Sequence, residues 1–67
     1  MNQIDARGYS CPEPVLMTKR ALANGTPLVV LVDSETPVQN ITRFAENQGY
    51  KVESKAVGED FEVTIHE

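Results

Sequence analysis

The apolar positions change period along the chain, and each change marks an element. Residues 2–6 read as a short first strand with Ile4 as its inward anchor. Residues 7–10 form a loop, in which Gly8 is free to take unusual backbone angles. Residues 12–23 then follow helical spacing: Val15, Thr18, Ala21 and Leu22 share one face, with Met17 at its edge. Lys19 and Arg20 point away from that face, and Leu16 projects on the same polar side, near Ala23. Asn24, Gly25, Thr26 and Pro27 end the helix, Gly25 as a left-handed cap and Pro27 as a block to resumption.

Leu28–Val32 is a continuous apolar, β-branched run, the pattern of a central strand covered by helices. After a turn over residues 34–36, Thr36-Pro37-Val38-Gln39 spells a capping box, with Thr36 as N-cap, Pro37 at the first helical position and Gln39 at the third. The second helix extends to about residue 48, with Val38, Ile41, Phe44 and Ala45 as its buried stripe and Gly49 closing it. Residues 50–57 alternate, Val52, Ser54 and Ala56 against Lys51, Glu53 and Lys55. Gly58, Glu59 and Asp60 turn the chain, and Phe61, Val63 and Ile65 alternate with Glu62, Thr64 and His66 in the last strand. Such alternation leaves one face of the hairpin wet.

The order βαβαββ predicts an α/β (α+β) two-layer sandwich, a four-stranded mixed sheet covered on one face by two helices. A chain of 67 residues has room for one small domain, residues 1–67, with a modest core and stability at the low end of the usual range. The residues show no repeats and no low-complexity tract.

Charge and cysteine usage narrow the function classes. The net charge is −4 and no basic stripe is present, which disfavours nucleic-acid binding. The acidic balance fits partners with a basic docking surface, or serves only to keep a small domain soluble. A lone cysteine fits a reducing, cytoplasmic setting. Residues 1–10 lack the basic start and apolar run of a signal peptide, and the longest apolar run is too short to span a membrane.

The candidate chemistry sits in Arg7-Gly8-Tyr9-Ser10-Cys11-Pro12-Glu13-Pro14. Prolines are tolerated in a first helical turn, whose N–H groups have no internal partner. The residue before a proline is pushed out of helical angles, which predicts Cys11 as the N-cap and Pro12 as the first helical residue. A thiol so placed lies beside the positive end of the helix dipole and ionises more readily than a free one. The alternative, a small buried hydrophobe, is the usual fate of a free cysteine but suits this polar loop poorly. Arg7, Lys19 and Arg20 would add positive potential and Glu13 would oppose it, so the sign of the local field stays open. Pro14 disfavours helical angles at Glu13 and would distort the turn around the sulfur.

Elimination limits what such a thiol does. There is no second cysteine to resolve a disulfide, and the single histidine, His66, lies at the far end of the chain. One cysteine and one histidine cannot make a structural zinc site, and no glycine-rich phosphate loop is present. A thiol that accepts and donates a group remains, and that chemistry needs no cofactor and no metal of its own.

Asp5-x-Arg7-Gly8-x-x-Cys11-Pro12-x-Pro14, followed by Val15-x-x-Thr18-Lys19-x-Ala21-Leu22, resembles the signature of the TusA/SirA/YedF sulfur-carrier family. The resemblance implies the same sandwich, with the Cys11 turn exposed near one edge. It implies that Cys11 is the persulfide-bearing nucleophile, taking sulfane sulfur from a cysteine desulfurase or rhodanese-like donor and passing it to an acceptor protein. The chain would then be a sulfurtransferase-type relay protein rather than a free-standing enzyme. Asp5, Arg7, Gly8, Pro12 and Pro14 match the family's segment around the cysteine and are its expected supports. Asp5 would brace the loop, and Arg7 would either pair with Asp5 or guide a negatively charged persulfide. Glu13, Leu16, Lys19 and Arg20 are candidates for partner docking, or form only a solvated helix face. The segment from Asp33 to Gly49, with Asn40-x-x-Arg43-Phe44-Ala45, looks closer to the YedF branch associated with selenium metabolism. Two alternatives therefore stand beside the sulfur carrier: a non-catalytic regulatory or docking domain, and a selenium-handling domain.

Overall fold

The computed structural model of the chain describes residues 2–10 and 12–67. Cys11, the expected N-cap and nucleophile, lies outside the described residues. The element order is β1 (Asn2–Asp5), α1 (Glu13–Leu22), β2 (Leu28–Val32), α2 (Glu35–Asn47), β3 (Lys51–Val57) and β4 (Asp60–His66). The strands form one mixed sheet in the order β1-β2-β4-β3, with β1 parallel to β2 and the other neighbours antiparallel. This is the two-layer α+β arrangement that the polarity pattern predicts.

The core lies between sheet and helices. Leu28, Val30 and Val32 of β2 and Val63 and Ile65 of β4 are fully buried, and α2 adds Ile41 and Ala45. Val15, Met17, Ala21 and Leu22 of α1 pack around them as partly buried residues, with Ile4 from β1. Two central strands therefore carry most of the buried hydrophobic residues.

Several local expectations are corrected. The α1 cap falls on Pro12 rather than on Cys11. Pro12 sits at φ −94° and ψ 11°, outside the helix, and its carbonyl accepts the Leu16 N–H at 3.1 Å, so the first helical bond starts there. Glu13 opens the helix despite preceding Pro14. The α2 cap falls on Ser34 rather than Thr36, and no side-chain cap bond forms, so the capping box is not made. Ser34 is extended, at φ −156° and ψ 167°, and the helix starts two residues earlier than expected. Pro37 is tolerated there because the N–H groups of a first turn have no intrahelical partner. Strand β3 is wetter than its alternation suggests: only Val52 is half-buried, while Ser54 and Ala56 are exposed. As an edge strand it pairs with β4 alone, and the inward positions of its second half are not covered. Phe44 is half-buried rather than part of the buried core.

Candidate functional site

The loop after β1 is held by carboxylates from the ends of three strands. Asp5 closes β1, and its carboxylate grips Arg7 two residues on. Arg7 Nε donates to Asp5 Oδ1 at 2.9 Å and Nη2 to Oδ2 at 2.8 Å, a two-pronged pair, while the Arg7 backbone N–H donates to Oδ1 at 3.0 Å. The hydrogen bonds from Arg7 hold the Asp5 carboxyl at about 2, below its ordinary 3.8. Both carboxylates raise the Arg7 guanidinium further above its already high range. Its third nitrogen, Nη1, donates to Asp60 Oδ2 at 3.1 Å, at the start of β4. Each guanidinium nitrogen thus faces a carboxylate, and Arg7 acts here as a bridge between strands.

Gly8 takes φ +85°, a left-handed conformation that favours glycine. Its backbone N–H donates to Asp33 Oδ2 at 2.9 Å, just past the end of β2. The Ala6 N–H donates to the Leu31 carbonyl at 2.8 Å and continues the β1–β2 pairing into the loop. Beyond, the Glu13 N–H donates to the Ser10 carbonyl at 3.0 Å, tying together the two sides of position 11. Asp5, Asp33 and Asp60 turn their oxygens to donors. Among the described residues, no three His, Cys, Asp or Glu side chains are arranged to hold a metal ion. The braces bring net negative formal charge to the loop, opposite to the field that Arg7 alone would supply.

Helix α1 leaves this loop with Glu13 exposed in its first turn. Pro14 is buried beneath it, and its carbonyl accepts the Thr18 hydroxyl at 2.8 Å. Leu16, Lys19 and Arg20 are exposed, as their helical phase predicts. The two basic side chains do not converge. Lys19 lines a hollow with Leu22, Phe44 and Tyr50 between the helices, whereas Arg20 lines another with Ile4, Met17 and Asn24 at the β1 edge. Tyr9, before position 11, is 51% exposed.

The sequence and the overall fold are similar to those of known proteins. The family model for the sulfurtransferase TusA matches residues 2–67. The chain belongs to the TusA family. Among relatives, a protein of Methanocaldococcus jannaschii with the provisional name of sulfur carrier protein is 47% identical over 55 residues, covering 78% of this chain and 73% of its own. The sulfur carrier protein TusA of Buchnera aphidicola is 30% identical over 54 residues, covering 76% of this chain and 68% of its own. The crystal structure of a SirA-like protein from Desulfitobacterium hafniense superposes with a TM-score of 0.91 at 39% identity, over 98% of this chain and 96% of that one. The TusA-family sandwich is therefore the frame that carries the loop. Among the described residues, no helix is long and apolar enough to cross a membrane.

Sequence reasoning singled out Asp5, Arg7 and Gly8 but missed Asp33 and Asp60. One signal for Asp33 was available: it directly ends the buried strand that lies parallel to β1. Asp60 carried none, because its place beside Arg7 depends on the order of strands in the sheet.

Proposed function

We propose that the protein is a sulfur carrier that holds sulfane sulfur as a persulfide on Cys11 and relays it between partner proteins. The observation that carries this reading is a single thiol, in a Cys-Pro-x-Pro segment, in a chain of the TusA family. The Cys11 thiolate attacks the terminal sulfur of a donor persulfide. The donor S–S bond breaks, the donor leaves as its own thiolate, and the sulfane sulfur is now bonded to Cys11. An acceptor thiolate then attacks that terminal sulfur, and Cys11 returns as thiolate. Sulfur moves with its bonds exchanged one for one, so neither step calls for an external oxidant or reductant.

The donor is a cysteine desulfurase or rhodanese-like protein, and the acceptor is a second protein. Residues 1–67 act as one carrier domain, in a reducing cytoplasm that keeps the lone thiol free. Asp5, Arg7, Gly8, Pro12 and Pro14 hold the loop and the helix start on either side of the thiol. Glu13, Leu16, Lys19 and Arg20 supply exposed positions along α1 at which partners dock. Intact-mass measurement after incubation with cysteine and a cysteine desulfurase tests the reading. Reductant-sensitive gain of one sulfur on the native protein, absent in Cys11→Ser, is expected; equal gain on both proteins overturns it.

A further inference from the structure

Two of the loop's three carboxylate anchors come from strands remote in sequence. We propose that Asp33 and Asp60 are positioning residues for position 11, acting through Gly8 and Arg7; this rests on the reading of Cys11 as the sulfur-bearing residue.

Asp33 lies immediately before Ser34, the cap of α2. A negative charge near the start of a helix is favoured by the helix dipole. Helix α2 nevertheless starts without a side-chain cap bond, and Asp33 Oδ2 is turned instead to the Gly8 N–H at 2.9 Å. Asp60 opens β4, where its carboxylate takes the Arg7 nitrogen left over by Asp5. The two contacts fix consecutive residues, Arg7 and Gly8, to β4 and β2. Asp5 alone would hold Arg7 only to its own strand. The loop is exposed and has little core of its own, so these polar ties carry its geometry. Ordered placement of a reacting group lowers the entropic part of a transfer barrier.

The test compares Asp33→Ala, Asp33→Asn and Asp60→Ala with the native protein in persulfide transfer from a cysteine desulfurase. In the Asp33→Asn variant the side-chain amide keeps a carbonyl that can still accept the Gly8 N–H. Transfer is expected to fall about 2- to 10-fold in the two alanine variants, the range of one hydrogen bond. Asp33→Asn is expected to restore it, and Gly8 amide hydrogen exchange is expected to quicken in Asp33→Ala alone. Native transfer rates in both alanine variants overturn the proposal, as does equal loss in Asp33→Asn and Asp33→Ala. If Asp33→Ala does not fold, Asp60→Ala decides by itself. Sulfur uptake by Cys11→Ser would instead overturn the underlying reading of the thiol, so the two failures are told apart.

Discussion

The Thr18 hydroxyl donates to the Pro14 carbonyl at 2.8 Å, in a place where both side chains are fully buried. The pair sits at the root of α1, one turn into the helix that follows the loop. Among the described residues, no buried side-chain polar atom lacks a partner. Replacing Thr18 with Val keeps the shape and removes the donor, and is expected to cost about 0.5–1.5 kcal/mol. Replacing it with Ala also opens a small void and is expected to cost more. Urea midpoints of the two variants check the order, and an Ala variant as stable as the Val variant would contradict it.

The Asp5 carboxyl gives a pH prediction. Its folded value, about 2, lies below its ordinary 3.8. The pairing with Arg7 therefore stabilises the fold fully above the ordinary value, and the contribution fades as pH falls through about 2. An NMR titration of the Asp5 side chain is expected to show that low midpoint, and Arg7→Gln is expected to return it towards 3.8. An unchanged midpoint in Arg7→Gln would mean that another donor sets it.

Gly8 has open space where a Cβ would stand, so the cost of a side chain there is backbone alone. At φ +85°, Gly8→Ala is expected to lose about 1–2 kcal/mol. Gly8→Asn is expected to lose less, since asparagine tolerates the left-handed region. Thermal melts of the pair measure both, and equal losses would place the cause elsewhere than in the φ angle.

Leu16 is 37% exposed on the outward side of α1. Leu16→Glu is expected to change stability by no more than about 0.5 kcal/mol, as an ordinary surface change does. If that face receives a partner, the same variant raises the KM for transfer from a desulfurase and leaves alkylation of Cys11 by iodoacetamide unchanged. Native kinetics would remove Leu16 from the docking surface.

The sequence is most legible where burial is periodic. The stripe of α1 and the run Leu28–Val32 are amphipathic or uniformly apolar, and both stand where their periods put them. The caps are less legible. Thr36-Pro37-Val38-Gln39 has the right letters for a capping box, yet Ser34 has the extended backbone a cap needs. Local hydrogen-bond chemistry is decided by backbone angles that spacing alone does not fix. Strand β3 shows a second limit: alternation tells which side chains share a face, but not whether a helix reaches far enough to cover them. In the site, Asp5 and Arg7 are two residues apart and their pairing is local. Asp60 is 53 residues from Arg7, and it is brought there by the β1–β2 and β2–β4 pairings together.

The sheet register also fixes where the ends of the described chain stand. Asn2 faces Leu28, and Leu28 faces Ile65, so β1 begins and β4 ends on one rim of the sheet. The Asn2 side chain is tied to the Asn24 and Gly25 carbonyls at that rim, and the Thr26 hydroxyl reaches Glu67 at 3.5 Å. The braced loop leaves from the other rim, about 15 Å away along the strands at roughly 3.3 Å per residue. A fluorophore or affinity handle attached to the side chain of Asn2 or Glu67 would stand across the sheet from Arg7 and Gly8. The protein can thus be tethered to a surface or labelled for single-molecule work with the loop facing free solution.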